Sequence, residues 1–357
     1  MKLVLVGGFL GSGKTTAIVK ACQQLIHQNK KVGVITNDQG SQQVDSEYVK
    51  SFGIPAGEVA NGCFCCNYDQ LDSELQSLRE KDQPEIIFAE SVGSCTDLIA
   101  TLVKPLNNTR PDIKIVVSVF ADAELLSSLI EGNSSFLEDS VRYLYRKQLE
   151  EADFLVLNKT DLLKPKQLGT VDKVLKSAYP NKIILHQNSL RDQDISRWLE
   201  SMEQFTQYPK RNSLTLDYDV YGEAEGKLAW LDKRITITTA NDNCVFVIRK
   251  IIGSIFNQIQ THHFTIGHLK FFLAADDWNE KVSFTTTSTS EDVSIRDHRT
   301  NSIRVLINAR VQTNPMSLEK LVDDVLTKAE GAYQCTIVTE NRSSYKPDYP
   351  RPTHRMG

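Results

Sequence analysis

The chain has 357 residues, 40% of them hydrophobic and 24% charged, with a formal net charge of −4; that length accommodates two domains of ordinary size, and the charge balance leaves no basic footprint for nucleic acid or an anionic membrane. No apolar run approaches the ~20 residues of a bilayer-spanning helix, and the N-terminal apolar stretch is too short for a secretory signal, so a cytoplasmic protein with no membrane partner is expected. Seven cysteines, three of them in Cys63-Phe64-Cys65-Cys66, are too few and too clustered for a secreted disulfide framework, and in a reducing compartment such a cluster reads as metal-binding or redox-active.

In chain order, the apolar run Leu3–Val6 predicts a buried parallel strand, followed by Gly7-Gly8-Phe9-Leu10-Gly11-Ser12-Gly13-Lys14-Thr15-Thr16. Gly8, Gly13, Lys14 and Thr15 match a Walker A phosphate loop at every fixed position. Its glycines let backbone N–H groups turn inward around a β-phosphate at a helix N-terminus. Lys14 would reach the β- and γ-phosphates, and the Thr15 hydroxyl would ligate Mg²⁺. A helix from Thr16 to His27 and a strand over 32–36 follow. Thr36-Asn37-Asp38-Gln39-Gly40, with Asp45 beyond it, is placed to sense a γ-phosphate as a switch.

The Cys63-Phe64-Cys65-Cys66 segment lies next. Thiolates select Zn²⁺, Co²⁺, Ni²⁺, Cu(I) or iron–sulfur clusters over Mg²⁺ or Ca²⁺. Three cysteines in four residues cannot all point one way, so two or three would ligate. The fourth ligand is not supplied locally; water, a carboxylate, a histidine or a second subunit would complete the shell. A redox pair or simple buried thiols is the alternative. After a helix over 68–81 and a strand over 85–89 comes Glu90-Ser91-Val92-Gly93. There Glu90 would meet Mg²⁺ or its water shell and Gly93 would approach the γ-phosphate, unless the motif is only a helix cap with a buried glutamate.

A strand over 113–120, a helix over 140–151 and a strand over 154–157 lead to Asn158-Lys159-Thr160-Asp161. An aspartate there accepts both N1–H and N2–H₂ of guanine, a donor pair adenine lacks. A strand over 182–186 and a helix over 195–205 complete an alternation that predicts a mostly parallel α/β sheet flanked by helices. The pattern breaks at 208–212. Beyond it, strand (234–239), helix (245–260), strands (268–274, 281–287 and 303–309) and helix (317–328) predict a smaller α+β domain. Domains are thus expected at 1–208 and 212–337, with 338–357 as an extended tail. His262, His263 and His268 lack ligand spacing and read as polar or core residues. Cys22, Cys95, Cys244 and Cys335 stand alone and read as small buried hydrophobes.

Together these motifs, in this order, resemble the CobW-like branch of the P-loop GTPases, related to HypB and UreG, over residues 1–200. The resemblance implies a P-loop NTPase domain and a slow GTPase that binds Zn²⁺, Co²⁺ or Ni²⁺ and uses its GTP/GDP cycle to hand the metal to a client protein or cofactor pathway. It assigns the loop residues Gly8, Gly11, Ser12, Gly13, Lys14, Thr15 and Thr16 to phosphate and Mg²⁺, and Asn158, Lys159 and Asp161 to guanine. Cys63, Cys65 and Cys66 would form the metal site, and Lys14, Asp38 and Glu90 would act on the γ-phosphate. The family usually has glutamate where Asp38 stands and threonine or serine where Val92 stands, and no histidine-rich run is present. The C-terminal domain would recognise the client, and a homodimer dependent on nucleotide or metal would suit such a cycle. Two other readings fit the same motifs: a GTPase that loads a corrinoid or other metallocofactor protein, and a non-catalytic adaptor holding one structural zinc.

Overall fold

A computed structural model describes residues 1–40, 43–132, 139–206, 211–289 and 293–357. In chain order the α-helices are α1 (Lys14–His27), α2 (Val44–Lys50), α3 (Tyr68–Lys81), α4 (Lys104–Thr109), α5 (Ala123–Ile130), α6 (Asp139–Glu150), α7 (Pro165–Ala178), α8 (Asp192–Gln204), α9 (Tyr218–Gly226), α10 (Cys244–Thr261) and α11 (Pro315–Tyr333). No helix among the described residues is long and apolar enough to cross a membrane. The chain forms two compact units. One comprises Met1–Gln39, Phe52–Ala224 and Tyr349–Gly357, and the other Gly40–Ser51 and Glu225–Asp348.

The first unit is a seven-stranded parallel sheet flanked by helices. Its strands are β1 (Lys2–Gly8), β2 (Val32–Asn37), β3 (Ala56–Val59), β4 (Ile86–Glu90), β5 (Lys114–Asp122), β6 (Phe154–Asn158) and β7 (Ile183–Gln187), in the order β3-β2-β4-β1-β5-β6-β7. The central strands are continuous apolar runs because helices cover both faces; Leu3 to Val6 are at most 1% exposed. The helices supply matching stripes. In α3 Leu71, Leu75 and Leu78 are buried, and in α8 Ile195, Trp198 and Met202, each set at helical spacing. Trp198 packs edge-on against Phe120 at 5.2 Å and donates its indole N–H to Ser118 Oγ at 3.2 Å. Register pairs Val6 with Glu90, Gly8 with Phe120 and Asp122 with Asn158. The parallel strands therefore deliver the predicted motifs to one end of the sheet.

The second unit is a five-stranded antiparallel sheet. Its strands are β8 (Ala229–Thr238), β9 (Ile266–Ala275), β10 (Trp278–Thr285), β11 (Ser302–Val311) and β12 (Thr336–Tyr345), in the order β10-β9-β11-β8-β12. Alternation along β9 and β11 sends Phe271, Leu273, Val305 and Ile307 into one core with α10 and α11. Phe272 and Leu306 face the other way and pack with Val44 and Tyr48 of α2. Period-two patterning thus gives this sheet two apolar faces with different partners.

Two boundary expectations change. The break expected at 208–212 overlaps residues 207–210, which lie outside the described residues, and the chain stays with the first unit as far as Ala224. Tyr221 explains this, being fully buried there with its hydroxyl accepting from Thr96 N at 3.3 Å. Residues 338–345, expected to begin an extended tail, belong to β12, which pairs with β8 at the sheet edge. Edge strands expose much of their length, so Thr339, Glu340, Asn341 and Arg342 are exposed and read as tail from composition. Strand β3 and helix α2 fall within the stretch that the sequence presents only as switch and metal loop.

Candidate functional site

The phosphate loop leaves β1 with Gly8 and Gly13 at φ +123° and +89°, a left-handed backbone that only glycine adopts without strain. Space is equally restrictive: a Cβ at Gly8 would stand 2.1 Å from the Phe120 carbonyl oxygen, and one at Gly13 2.4 Å from Asn158 Nδ2. Lys14 opens α1, is nearly buried, and donates to the Gly8 and Phe9 carbonyls at 2.8 and 3.3 Å. Thr15 Oγ1 donates to Glu90 Oε1 at 3.0 Å, so two side chains 75 positions apart meet at neighbouring strand ends. Ser12 Oγ is buried with no hydrogen-bond partner among the described residues. A helix N-terminus, an ammonium and an unsatisfied hydroxyl around one loop fit a phosphate chain.

At the other side of the loop, the Asn158 amide donates to Ser12 O at 2.8 Å and accepts from Ser189 N and Oγ at 3.1 and 2.8 Å. It ties the phosphate loop to the turn after β7. Lys159 adopts φ +61° and pairs with Asp122 at 2.6 Å. Asp122 also caps α5, accepting from Glu124 N and Leu125 N at 3.0 Å each. Asp161 is exposed in the 3₁₀ turn Thr160–Leu162 and makes no side-chain hydrogen bond among the described residues. Of the three predicted guanine residues, Asp161 presents an uncommitted carboxylate and the other two brace the loop. Ser189 and Asp122 lack a local motif; their places, in the turn after β7 and at the end of β5, are the only sequence signal they offer.

Asn37 ends β2 and governs the cysteine loop. Its Nδ2 donates to Val59 O and Gly62 O at 3.1 and 2.7 Å, and its Oδ1 accepts from Phe64 N at 2.9 Å. Asp38 follows, its backbone N–H bonded to Val59 O at 3.2 Å. Asp45 lies on α2 in the second unit, where Lys270 and Lys281 hold it at 2.5 and 2.7 Å. Beyond Glu90, Ser91 is buried, and Gly93 lies so near the phosphate loop that a Cβ would stand 2.5 Å from Leu10 Cδ2. Gln148 of α6 donates to both Gly93 O and Cys95 O at 2.9 Å, a brace no local motif reveals.

Cys63, Cys65 and Cys66 bring their sulfurs within 4.8 Å of one another, and theirs is the one such group of three or more candidate ligands among the described residues. Cys66 N and Asn67 N both bond Cys63 O at 3.0 Å, closing a tight turn that points Cys63 and Cys66 the same way. Cys63 and Cys65 are buried and Cys66 is partly exposed. Hydrogen bonding with the Cys63 thiol, together with burial, pushes Cys66 up to about 11 and raises Cys65 well above the ordinary thiol range. A thiol binds a metal as thiolate, so any metal bound here would displace protons. Soft donors at this spacing fit Zn²⁺, Co²⁺ or Ni²⁺ and not a hard cation. Cys95, expected to stand alone, has its sulfur 3.8 Å from that of Cys65; their separation of thirty positions hides the contact from the sequence. Cys22 is buried by itself, and its thiol is pushed up by burial. Residues near the C-terminus also reach the loop, with Arg351 N donating to Cys66 Sγ at 3.3 Å and Thr353 N to Cys65 O at 3.0 Å. His262 and His263 are exposed at the end of α10, and His268 is buried in β9.

Residues 2–186 match the family model described as "CobW/HypB/UreG, nucleotide-binding domain". The chain is 29% identical over 200 residues to the zinc chaperone CobW of Sinorhizobium sp, covering 50% of this chain and 56% of that protein. It is 29% identical over 166 residues to the zinc chaperone YeiR of Escherichia coli K12, covering 45% and 47%. The match spans about half the length of these curated relatives. Among solved structures, HypB from Helicobacter pylori in complex with nickel is similar at 15% identity and a TM-score of 0.44, over 59% of this chain and 91% of that one.

Proposed function

The chain belongs to the CobW/HypB/UreG family, and from that premise we propose that it is a slow GTPase that couples its nucleotide state to holding and handing over a transition metal. GTP would lie on Gly8, Gly11, Ser12, Gly13, Lys14, Thr15 and Thr16, with Asp161 reading guanine while Asn158 and Lys159 fix the loop beneath it. Mg²⁺, held by Thr15 and through its water shell by Glu90, would neutralise charge developing on the γ-phosphate. Lys14 contributes a fixed positive charge at the same place, and Asp38 and Gly93 border it. Catalysis rests on positioning, with no covalent intermediate; no arginine finger is assigned, so turnover is slow.

The observation that carries the coupling is Asn37. Its side chain spans from the end of β2, where the candidate switch begins, to the backbone at Gly62 and Phe64 on either side of Cys63. Any shift of residues 37–39 toward a γ-phosphate pulls on the turn that aims the thiols. The cargo is Zn²⁺, Co²⁺ or Ni²⁺, all suited to mixed or full thiolate shells. The second unit, with its separate core, would recognise a client protein, and a nucleotide- or metal-dependent homodimer is compatible with this scheme.

The direct test changes Cys63, Cys65 and Cys66 together to serine. Cobalt added to the metal-free wild-type chain should give a thiolate-to-cobalt absorption band. The triple variant should lose that band and bind cobalt at least ~100-fold more weakly while retaining GTP affinity. Unchanged cobalt affinity in the triple variant would overturn the metal assignment.

A further inference from the structure

We infer that Cys95 is a fourth thiolate ligand, completing with Cys63, Cys65 and Cys66 a four-sulfur metal site. The inference rests on the preceding assignment of the Cys63–Cys66 loop to a transition metal, and deepens it by naming the ligand that the loop itself does not supply.

Distances carry it first. Four sulfurs held tetrahedrally at about 2.3 Å from one ion stand about 3.8 Å apart. The sulfurs of Cys65 and Cys66 lie 3.9 Å apart, those of Cys65 and Cys95 3.8 Å, and those of Cys63 and Cys66 3.3 Å. Cys95 stands at the Cys65 end of the cluster, outside the trio whose sulfurs are mutually within 4.8 Å. Drawing its sulfur further into the trio is the adjustment that coordination asks.

The surroundings favour a thiolate over the alternatives. Cys95 is 1% exposed and Cys65 1%, so both thiols already sit in the protein interior beside one another. The Cys95 backbone is held on both sides, its N–H by Val92 O at 2.9 Å and its carbonyl by Gln148 Nε2 at 2.9 Å. Such bracing fixes a ligand's direction as outer-shell hydrogen bonds do in metal centres. At the opposite corner, the backbone N–H of Arg351 points at Cys66 Sγ, a donor that favours thiolate over thiol.

The position has a consequence for release. Cys63, Cys65 and Cys66 sit on the loop tethered by Asn37, whereas Cys95 lies five residues beyond Glu90, the partner of Thr15 in the phosphate loop. Movement of residues 91–97 would withdraw one of four thiolates and leave three. A closed shell that holds metal and an opened shell that yields it thus differ by a single ligand, carried on the segment that follows Glu90.

The test is cobalt titration of the metal-free full chain as wild type, Cys95→Ser and Cys22→Ser, alongside the triple serine variant. Intensity of the thiolate-to-cobalt band follows the number of cobalt–sulfur bonds. Cys95→Ser should therefore give about three-quarters of the wild-type absorbance per bound ion and ~10-fold weaker binding, and Cys22→Ser should match the wild type. Wild-type intensity and affinity in Cys95→Ser, with the band abolished in the triple variant, would overturn the inference while leaving the metal assignment standing. A wild-type chain with no thiolate band would remove both. Zinc-edge X-ray absorption of the wild-type chain reads the shell without any variant: four sulfurs at about 2.3 Å support the inference, and three sulfurs with one lighter atom overturn it even if Cys95→Ser fails to fold.

Discussion

Glu151 shows what a single buried carboxyl does at this site. It follows α6, is 3% exposed, and accepts from Thr96 Oγ1 and Ile99 N at 3.0 Å each, which anchors the segment just beyond Cys95. Burial pushes its pKa from 4.5 up to about 7, with nearby Asp97 adding to the rise against the donated hydrogen bonds. The folded chain therefore holds a proton that the unfolded chain releases between about pH 4.5 and 7. In that window stability falls as pH rises, by up to about 3 kcal/mol for this group, and it levels off above 7. Glu151→Gln should remove that slope, read as the urea midpoint against pH; an unchanged slope would contradict the assignment. Legibility differs sharply among such residues. Lys14, Thr15 and Glu90 declare themselves because each sits in a short motif whose chemistry is local. Glu151, Gln148, Ser189 and Cys95 act through partners dozens of positions away, and nothing in their own neighbourhoods marks them.

Helix α2 is the element the sequence represents least faithfully. Asp45 reads as part of a switch, yet Lys270 of β9 and Lys281 of β10 close on it, Lys281 also lies 4.7 Å from the centre of the Tyr48 ring, and Val44 N donates to Asn308 Oδ1 at 2.7 Å. Burial alone would raise the Asp45 carboxyl, but the two ammonium groups overcome it and hold the group well below the usual carboxylate range. Asp45→Ala would remove the carboxylate on which these two largely buried ammonium groups close, costing about 2–4 kcal/mol after allowance for partial exposure. Because the folded-state pKa is depressed, that contribution is present above about pH 4 and fades as pH falls further. Denaturation of Asp45→Ala should thus differ from wild type at pH 7 and converge with it toward pH 2; equal stability at pH 7 would refute the clamp. Parallel strands β1, β4, β5 and β6 were legible as apolar runs, and α10 and α11 by helical spacing. The four-residue β3 and the edge strand β12 were not, since one is too short for a periodic signal and the other exposes most of its side chains.

At the scale of the molecule, the sequence shows an α/β unit followed by a smaller α+β unit, and the structure has both. What linear reading misses is that neither unit is contiguous. Gly40–Ser51 joins the second sheet, and Tyr349–Gly357 returns to the first unit, where Arg355 pairs with Asp97 at 2.7 Å and Met356 N donates to Ala100 O at 2.9 Å. Composition marks such segments only as polar or proline-bearing, because their partners lie far along the chain. The segment between phosphate loop and cysteine loop therefore passes through the second unit, and the cysteine loop remains tethered to Asn37 at the end of β2. Nucleotide and metal should accordingly be thermodynamically linked, each changing the other's affinity by the same factor. The most direct measurement is Zn²⁺ affinity of the full chain with Mg²⁺ and a non-hydrolysable GTP analogue, compared with its affinity in GDP, by competition against a chromophoric chelator. A difference of ~10-fold or more, about 1.4 kcal/mol of coupling, is the expected result, and equal affinity in the two states would contradict nucleotide-gated metal transfer.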